Sequence, residues 1–124
     1  MTWLLIGVGG ALGAMARHGV SVVSHARYGA DPFPVSVLIV NVLGCLLAGV
    51  LAGLLASARV HLPNEARTFL MVGLLGGFTT FSAFGVDTFT LLHSGHYSTA
   101  ALNVVGQVGL TLVAVWAGFA VATA

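Results

Sequence analysis

An otherwise apolar segment of the chain is interrupted by the stretch Gly76-Gly77-Phe78-Thr79-Thr80-Phe81-Ser82-Ala83-Phe84. Two glycines in succession favour departure from helical geometry, and a threonine or serine just beyond them can cap a helix that restarts. The stretch therefore predicts a helix that is broken near its middle. A continuous helix with a packing face of small residues is the alternative.

The rest of the sequence has the composition of a membrane protein. Of 124 residues, 58% are hydrophobic and only 6% are charged, whereas soluble domains carry about a quarter charged residues. The charged residues are four arginines and three acids, with no lysine. So few charges exclude an extended nucleic-acid-binding surface and predict the lipid bilayer as the solvent.

The spacing of the charges predicts the topology. A spanning helix needs about 20 mostly apolar residues, and the uncharged runs predict four spans at roughly 3–26, 35–57, 67–92 and 98–121. The polar connections between them are short. We therefore expect an all-α membrane protein in which residues 1–124 form a single four-helix transmembrane domain, with the third helix broken near its middle.

A break in the third span has a chemical consequence. Non-helical backbone at membrane depth is tolerated only where it is buried in protein or lines a water-filled path. The carbonyl groups that such a break frees are ligands suited to a small cation. The third span is therefore the first place to search for a functional site.

The arginines give little information about orientation. Arg17 and Arg27 belong to one side of the predicted bundle, and Arg59 and Arg67 belong to the other. Because arginine bias normally sets the cytoplasmic side, this tie predicts insertion in both directions and an antiparallel, dual-topology homodimer. In the alternative interpretation, Arg17 lies inside the first span and the tie is accidental.

Small residues recur at helical spacing in three of the spans. Such faces let helix backbones approach closely in lipid, where no hydrophobic effect drives helices together. The three motifs are Gly9-x-x-x-Gly13, Gly49-x-x-x-Gly53 and Gly73-x-x-x-Gly77. They predict close helix packing.

Several polar and aromatic residues stand out against this apolar background. Asn41 is a lone amide in an apolar run, where it either offers two N–H donors to a ligand or bonds to a neighbouring helix. Phe81 and Phe84 share a helical face directly after the predicted break. Such rings usually face lipid or core, but their positive edges can also interact with a dehydrated anion.

The fourth span carries a polar stripe. Asn103, Gln107 and Thr111 recur every four residues on an otherwise apolar helix. The stripe forms either a path for an ion or a ladder of buried interhelical hydrogen bonds.

Two charged residues on other spans are also candidate functional residues. Asp87 is one, because a carboxylate inside the membrane or at its edge is a functional hypothesis by default. Arg17 is positioned to hold an aqueous mouth electropositive or to pair with an acid.

Three segments together resemble the Fluc (CrcB) family of small fluoride channels. They are Gly9-Gly10-Ala11-Leu12-Gly13-Ala14-Met15-Ala16-Arg17, Asn41-Val42-Leu43-Gly44, and the stretch from Gly76 to Phe84. The likeness covers essentially the whole chain. It implies an antiparallel dual-topology homodimer with two pores at the subunit interface, in a prokaryotic inner membrane, that passively exports fluoride and so protects the cell.

The resemblance also implies roles for individual residues. Backbone carbonyls of Gly76 and Thr79 from both subunits would hold a central structural Na⁺. Arg17 matches an arginine of the family's first helix, and Asp87 matches a position where the family commonly has glutamate; both belong to the vestibule. The expected fluoride path comprises Asn41, Phe81, Phe84, Thr80, Ser82, Asn103, Gln107 and Thr111. The two amides on the fourth helix depart from the family's hydroxyls there.

Other classes of protein fit less well. The small multidrug transporters have a similar size and topology, but they need a carboxylate deep in the first helix, and residues 1–25 contain none. A non-transporting assembly subunit of a larger membrane complex is a third possibility. An enzyme is not expected, because no nucleophile, base and orienting group can be assembled from these residues.

The balance of arginines leads to a first prediction. A reporter joined to the C-terminus is expected on both sides of the membrane in similar amounts, because neither orientation is favoured by charge. Paired fusions, one active only in the cytoplasm and one active only outside it, measure this, with a protein of fixed orientation as the control. Activity of one reporter alone would contradict dual topology.

Overall fold

The computed structural model describes residues 1–29 and 31–124, and every regular element in these residues is helical. Helix α1 spans Thr2–Tyr28 and α2 spans Val35–Ala56. The third span contains α3 (Asn64–Arg67), a π-helical segment (Thr68–Leu75), α4 (Gly76–Phe78) and α5 (Phe81–His93). Helix α6 spans Tyr97–Thr123.

Among the described residues, four helical segments are long and apolar enough to cross a membrane, which confirms the expected all-helical architecture. They are Thr2–Tyr28, Val35–Ala56, Asn64–His93 and Tyr97–Thr123. Their ends lie close to the predicted ones. The depth of each helix in the bilayer and the antiparallel pairing of two chains stay predictions.

The third span is interrupted at the predicted place. Thr79 and Thr80 both have extended backbone, with φ/ψ of −84°/159° and −151°/123°, so α4 ends before them and α5 begins after them. The continuous-helix alternative is therefore wrong. The π-helical segment that precedes α4 was not expected, because its composition is that of any apolar helix.

Helix α1 packs closely against the first half of the third span. A Cβ atom added to Gly9 would lie 2.8 Å from the Phe69 carbonyl oxygen, and one added to Gly13 would overlap backbone atoms of Leu74 and Phe78. The partner surface includes Gly73, whose added Cβ would lie 3.1 Å from Gly9 Cα. Two of the predicted small-residue motifs therefore meet face to face.

Helices α2 and α6 form the most extensive helix pair. Gly49 and Gly53 of α2 lie against the backbone of α6 at Val115 and Phe119, and Gly118 of α6 lies against the backbone of α2. Side chains at these positions would overlap backbone atoms. The remaining predicted motif, Gly49-x-x-x-Gly53, thus also brings two helix backbones together.

Helices α2 and α5 end in the same type of turn. After α2, the N–H groups of Ala58 and Arg59 donate to the carbonyls of Leu55 (3.2 Å) and Leu54 (3.1 Å), which is a Schellman motif. Its left-handed position is taken by Ala58, with φ 55°. The corresponding turn after α5 uses Gly95, with φ 80°.

Arg59 links the end of α2 to the end of α6. Its Nη1 donates to the Ala122 carbonyl at 3.0 Å, and its Nη2 donates to the Ala124 carbonyl. A cation at a helix C-terminus is favoured by the helix dipole and by the unpaired carbonyls of the last turn. This contact fixes the α2–α3 connection against α6.

The two turns provide a matched pair of substitutions. Ala58→Gly is expected to raise the free energy of unfolding by about 1 kcal/mol, because glycine adopts the left-handed conformation without the steric cost that alanine has. Gly95→Ala is expected to lower it by a similar amount. Denaturant unfolding in detergent micelles measures both; a loss of stability in Ala58→Gly would contradict the role of this turn.

Candidate functional site

The side chain of Asn41 replaces helical hydrogen bonds that are lost at the break. Its Oδ1 accepts from the backbone N–H of Thr80 at 2.8 Å, and its Nδ2 donates to the Thr80 carbonyl at 3.0 Å. In a continuous helix the Thr80 N–H would donate to the Gly76 carbonyl. The Gly76 carbonyl therefore loses that donor, as expected for a broken helix.

Two neighbouring features let Asn41 reach the break. Gly44 lies one turn along α2, where an added Cβ would overlap the Thr79 side-chain methyl group. Thr80 caps α5, since its Oγ1 accepts from the Ala83 N–H at 3.2 Å and lies 3.3 Å from the Ser82 hydroxyl. The predicted cap is thus confirmed. Asn41 and Gly44 together form the part of α2 that contacts the two extended residues of the break.

Asn41 also bonds to the fourth span. Its Nδ2 donates to Gln107 Oε1 at 3.1 Å. A carboxamide nitrogen has two hydrogens, so both are engaged, one with Thr80 and one with Gln107. Within a single chain, the amide has the role of an interhelical brace, which was one of the two alternatives that its sequence left open.

The polar stripe on α6 faces the other helices of the same chain. Asn103 Nδ2 donates to Thr88 Oγ1 on α5 at 3.0 Å, and Asn103 is 0% exposed. Thr111 instead donates to carbonyls of its own helix. Two buried atoms, Asn103 Oδ1 and Gln107 Nε2, have no hydrogen-bond partner among the described residues. The stripe is therefore an incomplete interhelical ladder.

The two phenylalanines after the break contact each other. The ring centroids of Phe81 and Phe84 lie 5.3 Å apart with an interplanar angle of 52°, which confirms that they share a face of α5. Phe81 is 81% exposed in the single chain, whereas Phe84 is half-buried. The Phe81 ring is therefore exposed beside a buried amide network.

A cavity of about 220 Å³ lies where these elements meet. It brings together six of the eight residues of the expected fluoride path, together with one expected Na⁺ ligand, and it is partly open to the surface. Its lining consists of Asn41, Cys45, Thr79, Thr80, Phe81, Phe84, Gln107, Val108 and Thr111. Ser82, Asn103 and Gly76 do not line it.

The two expected vestibule residues lie elsewhere. Asp87 is half-buried and lines a second cavity of about 240 Å³ near the connection between α1 and α2, together with Ser24 and Asp31. Arg17 is half-buried on α1 and does not line either cavity. Neither residue therefore lines the cavity that holds the aromatic pair.

Two residues of the site were not singled out from the sequence. Cys45 lies one helical turn after Asn41 and lines the same cavity. Thr88 lies one turn after Phe84, donates to its carbonyl at 2.8 Å and accepts from Asn103. Their spacing of four residues from a recognised site residue was the available signal, but an ordinary buried helix face has the same spacing.

Comparison with known proteins identifies the family. The family described as "CrcB-like protein, Camphor Resistance (CrcB)" matches residues 4–119. The chain belongs to the CrcB family. CrcB proteins similar to it include one from Paramagnetospirillum magneticum that is named fluoride-specific ion channel FluC. The two are 44% identical over 124 residues, which cover 99% of this chain and 96% of the relative.

Two further CrcB relatives carry the same name. That of Paracoccus denitrificans is 47% identical over 120 residues, covering 97% of this chain and 93% of the relative. That of Nitrobacter winogradskyi is 44% identical over 121 residues, covering 95% and 94%. The resemblance found in the sequence is therefore confirmed, and the chain is a multi-pass membrane protein of a family of ion channels, not of enzymes.

The hydrogen bonds of Asn41 lead to a prediction on stability. Asn41→Leu is expected to lower the free energy of unfolding by about 2 to 4 kcal/mol, because the N–H and C=O of Thr80 and the Gln107 Oε1 lose their partner in a buried site. Unfolding in detergent micelles measures this. Cys45→Ala, one turn further along α2, is the matched control and should cost less than about 1 kcal/mol; equal losses would contradict the bracing role.

Proposed function

We propose that this protein is a fluoride-specific ion channel that passively exports F⁻, lowers cytoplasmic fluoride and protects the cell against its toxicity. The observation that carries the proposal is the similarity, over nearly the full length of both chains, to relatives that are named fluoride-specific ion channels. External fluoride would enter as HF and lose its proton in a less acidic cytoplasm. Channel-mediated efflux of the anion then removes it.

The chemistry of the cavity supports this proposal. A small, strongly hydrated anion enters a narrow path only if donors replace its water, and a strong fixed charge would retain it rather than pass it. The lining of the cavity beside the break contains amide, hydroxyl and aromatic groups but no charged side chain. Ring edges and neutral donors offer several moderate sites, from which an ion can leave.

The proposed fluoride path passes the aromatic pair and the polar stripe. It comprises Asn41, Phe81, Phe84, Thr80, Ser82, Asn103, Gln107 and Thr111, with Arg17 and Asp87 in the vestibule. The residues on the cavity form its middle part. Because Asn41 has both of its amide hydrogens engaged within the chain, it contributes to the path chiefly by holding the break in place.

The path is completed by a second copy of the chain in this proposal. The cavity is partly open to the surface, and the Phe81 ring in its lining is 81% exposed. In an antiparallel dual-topology homodimer, each chain would cover the cavity of the other, and the two covered cavities would form two pores at the interface. Each chain contributes a single four-helix transmembrane domain of residues 1–124 and resides in the prokaryotic inner membrane.

The broken helix is suited to a central structural Na⁺. The Gly76 carbonyl lacks the Thr80 N–H that would serve it in a continuous helix, because that N–H donates to Asn41. Backbone oxygens of Gly76 and Thr79 are hard ligands of the kind that such a cation prefers. In the dimer these carbonyls from both subunits would hold Na⁺, which would add a positive field and join the two breaks.

Fluoride efflux from liposomes tests the function directly. Vesicles that contain the purified protein and are loaded with fluoride are expected to release it rapidly when the counter-ion is made permeant, whereas vesicles loaded with chloride should not. Ion-selective electrodes measure both anions. Absence of fluoride efflux, or equal efflux of chloride, would overturn the proposal.

The aromatic pair provides a variant with a matched control. Phe81→Ile is expected to lower fluoride efflux at least tenfold, because the aliphatic side chain has no positive ring edge to present to the anion. Dimer formation, measured by size-exclusion chromatography, should be retained. Phe89→Ile, on the same helix and 66% exposed, should conduct normally. Normal efflux in Phe81→Ile would place the path elsewhere.

A further inference from the structure

The polar ladder of α6 ends in two complementary unpaired atoms. Asn103 Oδ1 is an acceptor and Gln107 Nε2 is a donor, and neither has a hydrogen-bond partner among the described residues. The two residues lie one turn apart on one face of α6 and are 0% and 4% exposed. Both atoms are therefore buried and unpaired within the single chain.

The orientation of the Gln107 carboxamide is set by its neighbour. Its Oε1 accepts from Asn41 Nδ2, whose other hydrogen is given to the Thr80 carbonyl. Asn41 Oδ1 in turn accepts from the Thr80 N–H, which can only donate. Because the Thr80 N–H fixes the orientation of Asn41, and Asn41 fixes that of Gln107, the Gln107 Nε2 is the atom that is left without a partner.

The orientation of the Asn103 carboxamide is not set in this way. Its partner is the Thr88 hydroxyl, which can both donate and accept. In the structure, Thr88 Oγ1 accepts from Asn103 Nδ2 at 3.0 Å and donates to the Phe84 carbonyl at 2.8 Å. If the hydroxyl rotates, it donates to Asn103 Oδ1 instead, and the carboxamide turns over.

Each orientation leaves a different pair of unpaired atoms. In the orientation seen here they are one acceptor and one donor, whereas after the turn they are two donors, Asn103 Nδ2 and Gln107 Nε2. We propose that Thr88 is a positioning residue that allows Asn103 to turn over, and that a fluoride ion selects the orientation in which both amide nitrogens donate to it. This inference rests on the proposed function.

The preference follows from the hydrogen-bonding capacity of fluoride, which only accepts. A carbonyl oxygen beside it would be repulsive, and two neighbouring donors without an acceptor are unfavourable in a buried site until the anion arrives. The ion therefore shifts the population of two states that the hydroxyl makes accessible. Of the two amides, only Asn103 has this freedom, because its partner is the Thr88 hydroxyl.

Fluoride efflux from liposomes with three threonine variants tests the proposal. Thr88→Val keeps the shape but removes the hydroxyl, and efflux is expected to fall at least tenfold. Thr88→Ser keeps the hydroxyl and should remain within about twofold of the unmodified protein. Thr90→Val is the matched control. The Thr90 hydroxyl also donates to a carbonyl of its own helix, that of Val86 at 2.9 Å, but Thr90 is exposed. Efflux through this variant should be unchanged.

A double-mutant comparison separates positioning from a general effect on the fold. Thr88→Val should cause no further loss of efflux in an Asn103→Leu background, since its action passes through Asn103. An equal loss in both backgrounds, or normal efflux in Thr88→Val alone, would overturn the proposal. If the unmodified protein releases no fluoride, the proposed function itself fails, which is a distinct outcome.

Nuclear magnetic resonance of the unmodified protein tests the same proposal without depending on the folding of a variant. In protein carrying ¹⁵N in its side-chain amides, the Asn103 and Gln107 amide signals are expected to shift together when fluoride is added, and not when chloride is added. The Asn41 amide, with both hydrogens engaged, should shift least. Unchanged Asn103 signals under saturating fluoride would overturn the proposal, even if the channel conducts.

Discussion

The paired hydrogen bonds between the Asn41 carboxamide and the backbone of Thr80 are the contact on which the site depends. In lipid every backbone polar group needs an internal partner, so two extended residues in the middle of a spanning helix are unstable by themselves. Asn41 supplies a donor and an acceptor at 3.0 and 2.8 Å and satisfies both groups of Thr80. Its remaining hydrogen binds Gln107 and joins the break to α6.

Glycine faces bring these groups within reach of one another. Gly44 allows α2 to lie against Thr79, and Gly49 and Gly53 allow the same helix to lie against the backbone of α6. Close backbone approach of this kind favours helix association in lipid, because it allows tight van der Waals packing where no hydrophobic effect drives helices together. The packing that holds the bundle together therefore also sets the distance between the amides and the break.

The resulting site combines polar and aromatic groups and contains no charged side chain. Its donors are amide and hydroxyl groups, most of them engaged in hydrogen bonds within the chain, and its edge is an exposed aromatic ring. Neutral groups with partly satisfied hydrogen bonds suit an ion that must bind and then leave. The exposure of Phe81 in the lining of this cavity is consistent with the proposed pairing of two chains around the path.

The sequence by itself determined the helical architecture, the position of the break and the threonine cap that restarts the helix, because these follow from local composition and from glycine and hydroxyl chemistry. Its motifs also identified the family. Only the tertiary structure decided that both amide hydrogens of Asn41 are engaged, that Thr88 bonds to Asn103, and that the third span contains a π-helical segment. Hydrogen-bond partners 15 to 66 residues apart depend on how the helices pack, which no local pattern encodes.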